Sequence, residues 1–411
     1  MHVRRVVISG VGVVTPVGND VGTFWENLCS GVCGVGEITR FDTTDYKVKI
    51  AAEVKDFDPL LYMGKGDLRK TDLYSQYAMA AAVQAMTDSG LEGKIASARL
   101  GVYVGSGIGG MQTFINETLK LNEGGARRVS PFFIPMMIGN IATGNIAIRY
   151  QAKGPSLPVV TACSTSTNTI GEAFRAIRHG YADAIIAGGA EATINPLSIA
   201  GFTNCMALST RNDPTCASIP FDKRRDGFVM GEGAGIVVLE EYEHAVSRGA
   251  KIYAEVVGYG NTSDAHHMTA PHPEAEGASA AFKLALNESG FEPGMPVYIN
   301  AHGTSTPLND KAETLAIKRV FGETEARRVH ISSTKSMTGH MLGAAGGVEA
   351  IAAALALHEG VLPPTIGYSE PDPDCDLDYT VNSALKLQAE VAFSATYGFG
   401  GHNGVLALRR I

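Results

Sequence analysis

The sequence predicts an α/β protein made of two similar halves, and three observations carry that expectation. Short β-branched runs that end in glycine alternate with longer stretches of helical spacing, the pattern of strands joined by helices. The second half replays the first. Residues 254–260 echo the opening strand and its glycines, 297–300 before Ala301-His302-Gly303 echo 100–107, 332–334 echo 159–162, and 392–401 echo 184–189. Finally, 411 residues at 45% hydrophobic and 18% charged content suffice for two core-bearing units. The expected halves are 1–250 and 251–411, packed face to face, with a site where their motif loops meet.

Composition excludes several functions. A net charge of −8 disfavours nucleic-acid binding. Cys29, Cys33, Cys163, Cys205, Cys216 and Cys375 include no C-x-x-C pair, which points to reduced thiols in a cytoplasmic setting rather than disulfides or zinc. Arg4-Arg5 before an apolar run faintly resembles a signal peptide, but Gly10, Gly12 and Thr15-Pro16 interrupt it and no cleavage site follows. No other apolar run is long enough to span a bilayer.

In chain order, residues 6–12 predict a buried strand running into a glycine turn. Thr15 and Pro16 exclude a nucleotide fingerprint there. Lys65-Gly66-Asp67-Leu68-Arg69-Lys70 is a small basic cluster. Tyr74, Tyr77, Ala78, Ala81, Ala82 and Ala85 mark one face of a helix that Gly90 ends. Residues 100–104 predict a second strand, followed by Gly105-Ser106-Gly107-Ile108-Gly109-Gly110, which matches G-x-G-x-x-G. No acid stands where a ribose ligand should be, so these glycines predict a tight turn beside a buried site instead. Residues 130–150, rich in Phe, Met and Ile, predict core or a subunit seam. Residues 184–187 predict a short strand into Gly188-Gly189, and the glycines at 231–235 a turn between strands.

Residues 159–170 organise the rest. An apolar stretch ends at Cys163, small hydroxylated residues follow, and Ile170, Ala173, Phe174 and Ile177 then take helical spacing, so the run reads as strand, turn and helix. Ser164 and Thr165 are good N-cap types, and a thiol at the positive end of a helix is expected to ionise more easily and act as a nucleophile. His302 ends a predicted strand and His340 precedes a helix of small residues; with Cys163 they suggest a Cys-His-His site. Glu349 is the one acid of that helix, and it needs a partner, either Lys335 or a bound cation. His266-His267 lacks a matching third metal ligand. The glycines around Phe399 and before His402 would let backbone N–H groups point into a pocket.

Taken together, Thr161-Ala162-Cys163-Ser164, Asn300-Ala301-His302-Gly303-Thr304-Ser305-Thr306, Ser333-Thr334-Lys335-Ser336-Met337-Thr338-Gly339-His340 and Gly398-Phe399-Gly400-Gly401-His402-Asn403 resemble the β-ketoacyl-acyl-carrier-protein synthases of bacterial fatty-acid synthesis. The type II elongating enzymes are the best match, and the likeness runs the length of the chain. It implies a thiolase-like fold with duplicated αβ halves in five αβαβα layers, usually as a cytoplasmic homodimer. It also implies an acyltransferase performing decarboxylative Claisen condensation of an acyl chain with malonyl-acyl-carrier protein.

By the same resemblance, Cys163 takes the acyl chain, while His302 and His340 polarise the malonyl thioester and assist decarboxylation. The N–H groups of Cys163 and Phe399 form an oxyanion hole. Lys335, paired with Glu349, supports the site electrostatically. Thr304 and Thr306 hold the pantetheine arm, Gly400 belongs to the substrate-binding glycine loop, and Ile108 and Phe202 line the acyl channel with Phe399 as its gate. No metal or other cofactor is expected, since the carrier brings its own phosphopantetheine. Lys65, Arg69, Lys70, Arg127 and Arg128 are the expected docking patch for the acidic carrier. Met206 departs from the arginine of some relatives, and Tyr397 and His402 from the commonest wording of the last motif.

Rival members of the fold should look different. A thiolase should carry a second cysteine in the last glycine loop, and an initiating synthase should pair histidine with asparagine. A non-catalytic chain-length partner should lack the cysteine. The catalytic subunit of a type II polyketide synthase uses the same residues and remains the alternative.

Overall fold

In the computed structural model, which describes residues 3–411, nine strands join edge to edge in one sheet. They are β1 (Val6–Val14), β2 (Leu100–Gly105), β3 (Ala184–Glu191), β4 (Gly233–Glu241), β5 (Ala254–Ser263), β6 (Val297–Asn300), β7 (His330–Ser332), β8 (Val391–Gly398) and β9 (His402–Arg409). The principal helices are α1 (Leu73–Ser89), α2 (Met111–Gly124), α3 (Phe133–Met137), α4 (Ile141–Tyr150), α5 (Thr165–Arg178), α6 (Pro196–Asn204), α7 (Glu276–Ser289), α8 (Pro307–Ala326) and α9 (Ala345–Glu359). The order across the sheet is β2-β3-β4-β1-β5-β9-β8-β6-β7. Among the described residues no helix is long and apolar enough to cross a membrane.

The duplication is visible in the pairing. In the first half β2 runs parallel to β3, β3 antiparallel to β4, and β4 antiparallel to β1. In the second, β6 runs parallel to β8, β8 antiparallel to β9, and β9 antiparallel to β5. The halves meet where β1 pairs with β5 from Val6↔Val256 to Ile8↔Ala254. Helix α1 covers β1 and β4 on one outside, and α7 covers β5 and β9 on the other. Helices α5 and α9 lie between, each touching strands of both halves, which gives five layers. Residues 345–357 of α9 are buried on every side, as their small apolar character requires. Helix α1 follows its capping signals, with Asp72 accepting from Tyr74 N–H and Gly90 left-handed at φ 55°.

Several glycines serve packing where the sequence suggested turns. Gly10 and Gly12 lie inside β1, where an added Cβ would come within 2.3 Å of the Ala85 carbonyl oxygen and 2.1 Å of that of Ala81. Gly258 and Gly260 of β5 approach Ala285 and Ala281 of α7 in the same way, at 2.6 and 1.9 Å. In each half a helix therefore rests directly on strand backbone, and only glycine leaves room. Likewise β3 continues through Gly188-Gly189 to Glu191, and Gly233–Gly235 lie within β4.

Residues 159–161 form no strand, contrary to the sequence expectation. Pro158 lacks a donor and Thr161 N–H is taken locally by Thr165 Oγ1, so only Ser156 bridges to Val102 where the second half has β7.

Candidate active site

Cys163 sits in a turn of 3₁₀ helix, Ala162–Ser164, that leads into α5, with Ala162 left-handed at φ 50°. Ser164 does not cap α5. Its single hydroxyl proton is shared between the carbonyls of Thr396 (3.0 Å) and His402 (2.8 Å), fastening the turn to the β8–β9 hairpin of the other half. The second half carries a matching turn, Leu342–Ala344 with Leu342 at φ 46°, leading into α9. His340 precedes that turn by two residues. Its main chain donates its N–H to the Val229 carbonyl and accepts from the Gly231 N–H, both at 2.8 Å.

His302 follows β6. Its N–H and that of Gly303 donate to the two oxygens of Glu313 on α8, each at 2.7 Å. The His302 and His340 rings stand edge to face with centroids 5.2 Å apart, flanked by Tyr397 and Phe228. Both imidazoles and the thiol line one cavity of about 220 Å³, together with Phe202, Thr304, Thr306 and Phe399. The Thr304 and Thr306 hydroxyls lie 2.9 Å apart at its wall, and exposed Met206 and Cys205 stand on its rim.

Burial pushes the Cys163 thiol up to about 12. The positive charge of Lys335 and the N–H groups of Phe399 and Cys163 oppose that rise, whereas Glu191 adds to it. The expected easy ionisation at a helix terminus is thus outweighed by desolvation in the resting cavity. Burial, followed by the field of Lys335, holds both imidazoles well below 6.5, so each is neutral at physiological pH.

Lys335 pairs with Glu349 of α9, and both side chains are almost fully enclosed, at 1% and 2% exposure. Burial pushes the Glu349 carboxyl up and the Lys335 charge draws it down. Lys335→Met is expected to lower unfolding free energy by about 3–5 kcal/mol, because it strands a buried carboxylate. Adding Glu349→Gln should recover part of that loss in urea unfolding. A single-variant loss below about 1 kcal/mol, the scale of an exposed pair, would contradict the ion-pair assignment.

Other expected site residues are placed differently. The N–H of Phe399 is directed at the Cys163 sulfur, but that of Gly400 is taken by the Met268 carbonyl at 2.8 Å and that of Gly401 by Gly398 at 3.1 Å. Gly400 therefore offers its donor to a neighbouring loop and not to the cavity. Ile108 does not line this cavity; it borders a second, apolar one of about 210 Å³ with Met111, Phe114 and Met137. Lys65, Arg69, Lys70, Arg127 and Arg128 are all exposed, and the Lys70 ammonium lies 5.5 Å from the Phe132 ring.

Two buried acids beside the site are missing from the sequence expectations. Glu313 is pushed up to about 8 by burial against the His302 and Gly303 donors. Its signal was present: Ala316 and Ile317 follow it at i+3 and i+4, putting an acid on the apolar face of α8. Glu191, raised to about 7 by burial, ends β3 and accepts from Ser106 Oγ, Gly107 N, Ile108 N and Gly343 N. The G-x-G-x-x-G loop thus wraps a carboxylate of its own chain.

Comparison with known proteins bears on this geometry. Residues 3–245 match the model for the N-terminal domain of beta-ketoacyl synthase and residues 253–369 that for its C-terminal domain. The 3-oxoacyl-[acyl-carrier-protein] synthase 2 of Staphylococcus aureus (strain COL) is 52% identical, over 99% of this chain and 98% of that one. Its namesake from Coxiella burnetii is 51% identical over the full length of both. A solved beta-ketoacyl synthase from Burkholderia phymatum superposes with a TM-score of 0.92 at 36% identity, covering 99% of this chain and 100% of that one. A type II PKS ketosynthase, solved in complex with its acyl-carrier protein, gives 0.91 at 34% over the full length of both.

Proposed function

Because this chain belongs to the β-ketoacyl synthase family, we propose that it is the acyltransferase that condenses an acyl chain carried on Cys163 with malonyl-acyl-carrier protein, releasing carbon dioxide and 3-oxoacyl-acyl-carrier protein in fatty-acid elongation. The observation that carries the reading is the convergence of one thiol and two neutral imidazoles in a single cavity.

In the first half-reaction the Cys163 sulfur attacks the acyl thioester of the carrier. The thiol proton leaves with the departing pantetheine sulfur, and the tetrahedral oxyanion is received by the N–H groups of Cys163 and Phe399. In the second, the C–C bond to the malonyl carboxylate breaks and its electron pair becomes an enolate. Neutral imidazoles suit this step, because each can donate an N–H to the enolate oxygen without acting as a strong base. The carbanion then attacks the acyl-cysteine carbonyl and expels the Cys163 thiolate, which regains a proton. Carbon dioxide loss supplies the carbanion, so no metal or redox cofactor enters the scheme.

Thr304 and Thr306 suit hydrogen bonding to the pantetheine arm, and Phe202 and Phe399 an apolar chain. The exposed basic residues suit an acidic carrier. Exposed Phe114, Phe132, Ile134 and Ile148 on and beside α2, α3 and α4 support a second copy of this chain as the covering partner, in a cytoplasmic homodimer. A polyketide ketosynthase would use the same residues, but the relatives at 51–52% identity carry the 3-oxoacyl synthase name, and the polyketide ketosynthase stands at 34%. Incubation with acyl-carrier protein followed by intact-mass measurement is expected to show one acyl adduct, mapped to Cys163. An adduct on another cysteine would overturn the assignment.

A further inference from the structure

The glycine loop after β2 has the spacing of a phosphate cradle, yet the anion it holds is Glu191. One Glu191 oxygen accepts from Ser106 Oγ (2.9 Å) and Ile108 N–H (3.2 Å), the other from Gly107 N–H (2.9 Å) and Gly343 N–H (3.0 Å). Ser106 Oγ in turn accepts the Gly109 N–H at 2.9 Å. Four consecutive loop residues therefore answer to one fully buried carboxylate. Space is also made for it: a Cβ on Gly107 or Gly343 would come within 2.8 or 2.7 Å of the same oxygen.

The position of this knot matters. On one side Gly107 approaches the Ala162 carbonyl next to Cys163, and Gly343 lies in the turn just beyond His340. On the other, Ile108 and Gly110 border the apolar cavity shared with Met111, Phe114 and Met137. The loop thus lies between the turn that carries Cys163 and a second apolar space, with the Ile108 side chain on the side of that space.

We propose that Glu191 is a positioning residue for acyl-chain selection: by clamping residues 106–109 against Gly343 it fixes Ile108 at the border of the second apolar space and so limits the chain length that Cys163 accepts. The inference rests on the condensing-enzyme reading above. All four partners are donors, which suits the ionised carboxylate although burial raises it to about 7, and hydrogen bonds to an ionised group in a dry site are among the stronger ones, so loosening the clamp should be felt in selectivity.

The test uses the full-length protein as wild type, Glu191→Gln, Ser106→Ala and the double variant. Transfer to Cys163 from hexanoyl- and palmitoyl-acyl-carrier protein is followed by intact mass, and carbon dioxide release from malonyl-acyl-carrier protein is the control. Glu191→Gln is expected to raise the palmitoyl-to-hexanoyl rate ratio about tenfold, the scale of one charge-assisted hydrogen bond, with decarboxylation within about twofold. Ser106→Ala, which leaves the acid in place, should shift the ratio in the same direction, and the double variant should go no further than Glu191→Gln. An unchanged or lowered ratio in both single variants, or a parallel fall of all three activities, overturns the inference. A wild type that takes no adduct overturns the condensing-enzyme reading as well.

Discussion

Cys163→Ala is expected to lose condensation by about 10⁴-fold or more, the scale set by removing a catalytic nucleophile, while still releasing carbon dioxide from malonyl-acyl-carrier protein. The two outcomes separate because the reaction divides between two sets of atoms. The sulfur accepts the acyl chain, whereas the groups placed to stabilise an enolate are the rings of His302 and His340, which the substitution leaves untouched. The fold should survive it: the turn is held by Ser164, through Thr396 and His402, and not by the thiol. Melting temperature should therefore change little, and the acyl adduct should vanish from the mass spectrum. Condensation persisting at more than about a hundredth of wild type would mean that direct attack or another nucleophile carries the chain.

What the sequence revealed and what it hid divide along a physical line. Capping and periodicity are local, so α1 could be read from its apolar face and Gly90, and α9 from an unbroken run of small apolar residues. The Cys-His-His set was legible because each member sits beside glycines or small hydroxyl residues at the end of a strand or turn. The strand glycines were misread because their reason lies in another element: Gly12 is small for the sake of Ala81, 69 positions away in sequence. The cysteine's ionisation was misjudged for a related reason. A helix terminus can be inferred from spacing, but desolvation depends on what closes over the sulfur. Glu191 stayed hidden because its donors, from residues 106–108 and 343, converge only in the fold, whereas Glu313 shows in the sequence as an acid on an apolar helix face but its partners at 302–303 do not.

His302→Ala and His340→Ala are each expected to slow decarboxylation of malonyl-acyl-carrier protein by about 10²–10³-fold, the cost of deleting one preorganised donor to a developing oxyanion. The acyl adduct on Cys163 should still form, since its oxyanion donors are backbone N–H groups. Misfolding is an unsuitable explanation for such losses, because Glu313 grips the backbone of residues 302–303 and the Val229 carbonyl grips that of His340, and alanine keeps both sets of bonds. The roles also have a pH signature. Burial and the Lys335 charge hold both rings well below 6.5, so neither gains a proton between pH 8 and the ordinary histidine value. The rings should accordingly add no inflection near pH 6.5 to decarboxylation by Cys163→Ala, and their protonation should slow it only at lower pH; any change between pH 8 and 7 belongs to the buried acids Glu313 and Glu191, raised by burial to about 8 and about 7. An inflection near 6.5 that disappears in either histidine variant would show that ring to be solvated and titrating normally, and two neutral donors could then no longer account for the enolate.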